Sequence, residues 1–192
     1  MPPKAKFEKD EIIVAALAIV KEQGMPALTA RSLGDKLGSS PRPIFTVFRS
    51  MEEVQAEVIA KAKAVYADYV KKGLACIPAF KGVGTQYILF AVNEPKLFQL
   101  LFMSEQKTVP SLSKVLPVIE EHYEDIMASI RDSYSVDNSN AERLYHHLWI
   151  YTHGIATLCA TKTCTFTAEE ISALITEVFV SLLSKIKGEK ND

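Results

Sequence analysis

The sequence predicts an all-α protein, and three observations lead to this. Apolar residues recur at i, i+3, i+4 and i+7 along nearly the whole chain, which is the spacing of one helix face. Capping residues and glycines separate these segments, and no segment alternates in the manner of a β-strand. The 192 residues, 48% of them hydrophobic, predict three short helices in residues 1–50 and a larger helical body in 51–192. About nine helices are expected in total.

The first three helices are predicted from their faces and their ends. Residues 7–23 carry an apolar face that ends at Gly24, a residue type suited to the position after a helix. Thr29 can cap a second helix that runs to about residue 37 and closes at Gly38. Ser40 can cap a third, since Pro41 then takes the first helical position, where its missing N–H costs nothing.

The later helices are longer. Ser50 and Glu53 form the pattern of a capping box that opens a helix to about residue 72, and Thr167 and Glu170 repeat this pattern before the last helix. The other predicted helices have approximate bounds of 80–93, 95–106, 112–133, 140–161 and 168–187.

The segment 28–48 has the organisation of a helix-turn-helix. Leu33 and Leu37 are expected to face inward from the second helix, and Ile44 and Phe48 from the third. The residues that then face outward are Arg42, Phe45, Thr46 and Arg49. In such a unit the third helix enters the major groove and its first residues reach base edges, so the predicted partner is double-stranded DNA.

The same segment resembles the TetR family of bacterial transcriptional regulators over about residues 8–56. The matching positions are Gly24, Leu28-Thr29, Leu33-Gly34, Leu37-Gly38, Ser40, Phe45, Phe48 and Glu52-Glu53-Val54. The resemblance implies a DNA-binding face of Thr29, Arg31, Lys36, Ser40, Arg42, Pro43, Phe45, Thr46 and Arg49. Phe45, Val47 and Met51 replace the family's usual Tyr, His and Lys, and each replacement removes a hydrogen-bond donor.

Two C-terminal motifs extend the resemblance. Trp149, His153 and Gly154 form the W-x-x-x-H-G pattern of a TetR subgroup, and residues 94–102 resemble its proline-led aromatic helix. The resemblance implies a pocket for a small, largely apolar effector. Its expected wall is Phe98, Phe102, Tyr123, Met127, Trp149 and His153. The alternative is that these side chains simply form core, as buried aromatic residues mostly do.

A homodimer is expected from the last two helices. No charged residue occurs between Arg143 and Lys162, and two apolar stripes run along this helix. One stripe can pack within the chain and the other on a second copy, in the four-helix bundle by which the family dimerises. The expected interface residues are Leu144, Leu148, Tyr151, Ile155, Leu174 and Val178. The alternative is a helix buried wholly inside a monomer.

Charge and composition narrow the function classes. The net charge is −1, but residues 1–51 carry a net +3 and the rest −4, which favours a polyanion-binding N-terminus. The longest apolar run, residues 12–20, is too short to span a membrane. Three cysteines do not suggest a disulfide framework. We therefore expect a cytoplasmic protein with no membrane association.

No metal or cofactor is expected. His146 and His147 are adjacent and point about 100° apart on a helix, so they cannot chelate together. Cys159 and Cys164 are either a redox-sensing pair or ordinary thiols. The sequence contains no phosphate-binding glycine loop or catalytic triad order, so we expect no enzyme.

The expected function is a homodimeric, effector-responsive repressor of an approximately palindromic operator. Effector binding in the body would move the long helix that begins at Met51 and change the spacing of the two DNA-binding heads. One alternative is a TetR-like protein whose DNA binding is weakened at Phe45, Val47 and Met51. Another is an all-α enzyme that uses His153 and a cysteine.

Overall fold

The computed structural model describes residues 6–105 and 109–189, and in these ranges it contains nine α-helices and no strand. The predicted all-α class is confirmed. Two short 3₁₀ helices lie at Met25–Ala27 and Ile44–Thr46. The α-helices are α1 (Lys9–Gln23), α2 (Ala30–Lys36), α3 (Met51–Leu74), α4 (Ala79–Asn93), α5 (Pro95–Phe102), α6 (Leu112–Ile119), α7 (Tyr123–Tyr134), α8 (Asn138–Ala160) and α9 (Ala168–Gly188).

The chain divides into two compact units. The first, here the head, runs to Val65 and includes Glu94–Ser104. The second, here the body, comprises Tyr66–Asn93 and the chain from Glu105 onward. The head is therefore larger than residues 1–50, because it takes most of α3 and all of α5.

Helix α5 belongs to the head because its apolar side chains are buried there. Leu97 and Phe98 have no exposed surface, and α5 packs on α1. The α1 face that the periodicity predicts is also buried, with Ile12 and Ala16 fully enclosed. An ion pair of 2.7 Å between Lys21 Nζ and Glu94 Oε1 joins the end of α1 to the start of α5.

Helix α2 begins as the sequence predicts. The Thr29 hydroxyl accepts the Ser32 N–H at 3.1 Å, and the Ser32 hydroxyl accepts the Thr29 N–H at 3.0 Å. The turn that follows folds back on Gly34, whose carbonyl accepts the Ser39 N–H at 2.9 Å. A Cβ at position 34 would lie 2.9 Å from the Ser39 carbonyl oxygen. Only glycine allows the turn to approach this closely.

The third segment differs from the capped helix that the sequence predicts. Only Ile44–Thr46 is helical, and it is a 3₁₀ turn. Ile44 N–H bonds Pro41 at 3.0 Å and Thr46 N–H bonds Pro43 at 3.2 Å, both over three residues. Two prolines within three residues remove two donors, and Pro43 disfavours the α conformation at the residue before it. The predicted inward residues are nevertheless buried, since Ile44 and Phe48 are 0% and 1% exposed.

The body is built on α4 and α8, which pack together and against α7 and α9. The predicted helix 112–133 is interrupted, because Glu120 is extended and turns its side chain inward. Its carboxylate accepts the Tyr66 hydroxyl at 2.6 Å and the His122 N–H at 3.2 Å. These hydrogen bonds replace continuous helix over residues 120–122, which is slightly less than one turn.

The remaining helix ends match or shift by a few residues. The Thr167 capping box is confirmed, with both reciprocal bonds present. At α3 the Glu53 carboxylate instead accepts the Arg49 N–H at 2.7 Å, one residue before the predicted cap. Helix α5 ends at Phe102, and residue 106, the predicted end, lies outside the described residues. Within those residues, no helix combines the length and apolar character needed to cross a membrane.

Candidate functional site

The surface of the head carries several basic side chains, and three arginines among them form no ion pair within the described residues. Arg31, Arg42 and Arg49 are exposed, and none forms an ion pair with any described residue. Lys36 is also exposed, but its ammonium lies 3.2 Å from a Glu22 carboxylate oxygen. Three guanidinium groups therefore stay available for an external anion, while Lys36 is partly neutralised.

The 3₁₀ turn presents the other residues predicted to face DNA. Phe45 is 45% exposed, Thr46 and Ser40 are exposed, and Pro43 is half-buried. The Thr46 hydroxyl donates to the Pro43 carbonyl at 2.6 Å, and the Thr29 hydroxyl is engaged at the start of α2. These two hydroxyls stabilise the local backbone, so the arginines are the side chains best placed to bind a phosphate or a base.

The body contains a cavity of about 310 Å³. Seven of its sixteen lining residues are aromatic, and these seven come from five helices. Tyr66 lies on α3, Phe80 and Tyr87 on α4, and Tyr145 and Trp149 on α8, while α7 and α9 close the remaining sides. A concave, largely apolar space with a few polar groups is the usual form of a small-molecule site.

A hydrogen-bonded cluster lies at the α4–α8 wall. The Tyr87 hydroxyl lies 2.8 Å from His153 Nδ1, and Trp149 stacks on the His153 ring with centroids 5.3 Å apart. Burial raises the pKa of Tyr87, and the hydrogen bond from Trp149 opposes this rise. Burial lowers the pKa of His153. Both shifts favour the neutral form, so the phenol keeps its proton and the cluster is uncharged at neutral pH.

Two further polar side chains line the cavity. The Lys81 ammonium donates to the Ser172 hydroxyl at 2.9 Å, and the Thr152 hydroxyl donates to the Leu148 carbonyl at 2.9 Å. Among the described residues that line the cavity, Lys81 is the only Lys, Arg, Asp or Glu. The cavity is therefore apolar with one cationic point on its wall.

The predicted pocket residues are dispersed. Trp149 lines the cavity, and His153 stands behind it as the partner of Tyr87. Tyr123 stacks on the lining residue Tyr145, with centroids 5.9 Å apart, and Met127 is buried in α7. Phe98 and Phe102 lie in the head, where they pack on each other with centroids 5.3 Å apart.

Sequence reasoning missed the contribution of α4. Phe80, Gly84 and Tyr87 all line the cavity, and their spacing of four and three residues places them on one helix face. That pattern is visible in the sequence, although it equally describes an ordinary core face. Lys81 lies next to Phe80 and also lines the cavity. A charged residue beside this apolar face is the signal that could have distinguished a cavity wall from an ordinary core face.

The predicted dimer residues are mostly engaged within the single chain. Leu144, Leu148 and Ile155 are 0%, 4% and 6% exposed, so they offer almost no area to a second copy. Tyr151, Leu174 and Val178 are half-buried. The exposed apolar side chains on α8 and α9 are instead Ile150, Leu158 and Val180.

The cysteines and histidines form no recognisable reactive centre in the described ranges. Burial raises the pKa of Cys159, which disfavours the reactive thiolate, and Cys76 and Cys164 are exposed. Within the part of the chain that the structure describes, no group of three or more His, Cys, Asp or Glu residues is arranged to hold a metal ion.

No protein-family model matches this chain, and no curated protein sequence matches it significantly.

Proposed function

We propose that this protein is a TetR-like, effector-responsive DNA-binding regulator that acts as a homodimeric repressor. The observation that carries this proposal is the surface of the head around the 3₁₀ turn. Arg31, Arg42 and Arg49 are exposed there without ion pairs to described residues.

The turn is held from the inside, which supports a role in recognition. Leu33, Ile44 and Phe48 are at most 1% exposed and anchor α2 and the turn to the core. Arg42 and Phe45 are then presented outward from a fixed backbone. A side chain held on a rigid element loses less conformational entropy on binding than one on a free loop.

The arginines suit a duplex better than another acidic surface. Arg fits both phosphate oxygens and the O6 and N7 atoms of guanine with two parallel hydrogen bonds. Exposed Phe45 adds apolar contact of the kind made to a thymine methyl group. Because phosphate contacts release counterions, the affinity is expected to fall steeply with salt.

Helix α3 supplies the connection between effector and DNA in this proposal. Its residues up to Val65 belong to the head and those from Tyr66 to the body. Tyr66 lines the cavity, and α3 begins at Met51, two residues after Arg49. An occupant that contacts Tyr66 and prefers one position of α3 would change the population of DNA-competent heads.

The exposed apolar residues of α8 and α9 support the proposed dimer. Ile150 is 49% exposed, Leu158 39% and Val180 52%. Gly154 is exposed between the first two, and beyond its own stretch of α8 no described atom lies within 4 Å of a Cβ built there. A second copy could approach this surface closely. A twofold dimer would read two half-sites of a palindrome.

The test begins with a random duplex library passed over the immobilised full-length protein, followed by sequencing of the retained fragments. We expect an approximately palindromic motif. Its affinity is then measured by fluorescence anisotropy for the unmodified protein, Arg42→Ala and Lys71→Ala. Lys71 is exposed on the body part of α3, so this control removes the same charge away from the head.

Arg42→Ala should weaken the selected duplex by about 5- to 150-fold relative to random duplex, since one bidentate base contact is worth about 1–3 kcal/mol. Lys71→Ala should change neither affinity by more than a small factor. Retention of no motif, together with equal effects of the two substitutions, would refute the proposal. A motif bound only at low salt would favour the weakened form of DNA binding.

A further inference from the structure

We infer that the cavity of the body takes an amphipathic carboxylate, an apolar chain or ring with one anionic end, and that this end pairs with Lys81. This inference rests on the proposed function, because it names the chemical class of the effector. It concerns Lys81, Tyr145 and Glu120, none of which the sequence motifs singled out.

Lys81 has the properties of a ligand-binding cation. It lines the cavity, its side chain is half-buried, and it forms no ion pair with any described residue. Among the described residues, its ammonium bonds only the neutral Ser172 hydroxyl, at 2.9 Å. A carboxylate would supply the missing opposite charge, and charge-assisted hydrogen bonds are about twice as strong as neutral ones.

The exposure of the wall shows which end of the cavity opens to solvent. Thr176 and Val180 line it from α9 and are exposed. Tyr66, Tyr87 and Tyr145 are 7%, 5% and 5% exposed and form the closed end. Lys81 lies in the first turn of α4, six residues before Tyr87, which is about 9 Å along the helix. The partial positive charge of that turn also favours an anion.

The closed end would reject an anion. The Glu120 carboxyl bonds Tyr66 there, and the pKa of Tyr145 is raised by burial and then by the charge of Glu120. Burial raises the pKa of Glu120 there, so this environment disfavours a negative charge. A bound molecule is therefore oriented with its carboxylate at Lys81 and its apolar part inside.

The closed end still offers one neutral contact. The Tyr145 hydroxyl has no hydrogen-bond partner among the described residues, although its side chain is 5% exposed and lines the cavity. Because its pKa is raised, the phenol remains a donor at neutral pH. It suits a neutral acceptor on the occupant, such as an ether or carbonyl oxygen, but does not require one.

The chain offers a direct reporter. Trp149 is its only tryptophan and lines the cavity, so its fluorescence should change when the cavity fills. The test titrates full-length protein with decanoate and with decanol, which have the same chain and differ in charge. The variants are Lys81→Met, Lys81→Arg and, as the matched control, Lys71→Met.

We expect decanoate to bind about tenfold more tightly than decanol, with a smaller difference at high salt because Lys81 is partly solvated. Lys81→Met should weaken decanoate about tenfold and leave decanol unchanged, which also shows that the variant is folded. Lys81→Arg should retain most of the preference, and Lys71→Met should retain all of it.

Equal affinity for the two probes, or an equal effect of Lys81→Met and Lys71→Met, would overturn the assignment of a carboxylate. Absence of any Trp149 response to either probe would overturn it as well. The proposed function is decided separately by the duplex titration of the unliganded protein, which does not involve the cavity.

Discussion

The buried contact between Tyr66 and Glu120 should make the stability of the body depend on pH in a specific way when Tyr66 is replaced by Phe. The Tyr66 hydroxyl donates to Glu120 Oε2 at 2.6 Å, and the two residues are 7% and 6% exposed. Burial raises the pKa of Glu120, while the bond from Tyr66 opposes this rise. Removing the hydroxyl therefore raises this pKa further.

The sign follows from the protonation of Glu120. A carboxyl whose pKa is raised on folding stabilises the folded state below its unfolded pKa of about 4.3, and this stability is lost as the pH rises through the folded pKa. At acid pH, where Glu120 is neutral, Tyr66→Phe loses an ordinary hydrogen bond of about 1 kcal/mol. Above the folded pKa, where Glu120 is ionised, it loses a bond to a charged group, about 1.5–3 kcal/mol.

Thermal denaturation followed by circular dichroism at pH 4.5 and pH 8 measures both losses. At about 2–4 °C per kcal/mol for a chain of this size, Tm should fall by about 2–4 °C at the lower pH and by about 3–12 °C at the higher. Tyr69→Phe is the matched control, since among the described residues its hydroxyl accepts only an exposed 3.4 Å bond from Asn93. An equal loss at both pH values, or a loss no greater than that of the control, would refute the reasoning.

Three other predictions concern the dimer, the histidine and the DNA-binding surface. The double substitution Ile150→Glu and Leu158→Glu should halve the mass measured by light scattering. Helicity should not fall, because both side chains are exposed. An unchanged mass would place the interface elsewhere. Burial lowers the pKa of His153, so the folded state should lose stability as the pH falls below about 6.5. His153→Gln should remove part of this loss, which denaturation at pH 5.5 and pH 7.5 measures. Met51→Lys should steepen the slope of log affinity against log salt by about 0.9 for one new phosphate contact, whereas Phe45→Tyr should leave it unaltered; an unchanged slope in Met51→Lys would show that residue 51 does not face a phosphate.

The sequence by itself determined most of the helices and most of their ends, because these depend on nearby residues. Gly24 ends α1, and Thr29 and Thr167 begin α2 and α9 through bonds to residues three positions later. The outward direction of Arg42 and Arg49 also follows locally, from the burial of Ile44 and Phe48 on the opposite side. Each of these signals involves only residues that lie within one or two helical turns of one another.

Tertiary structure decided where α5 belongs, where the helix predicted at 112–133 breaks, and which side chains share the cavity. Leu97 and Phe98 are apolar wherever they pack, so only the contact with α1 places them in the head. Glu120 is extended at the end of α6 and bonds Tyr66. Because Tyr66 lies 54 residues earlier in the chain, no local pattern could locate this break. Lys81 and Trp149 line one space although 68 positions separate them, and periodicity along a helix carries no information about which distant helix will face it.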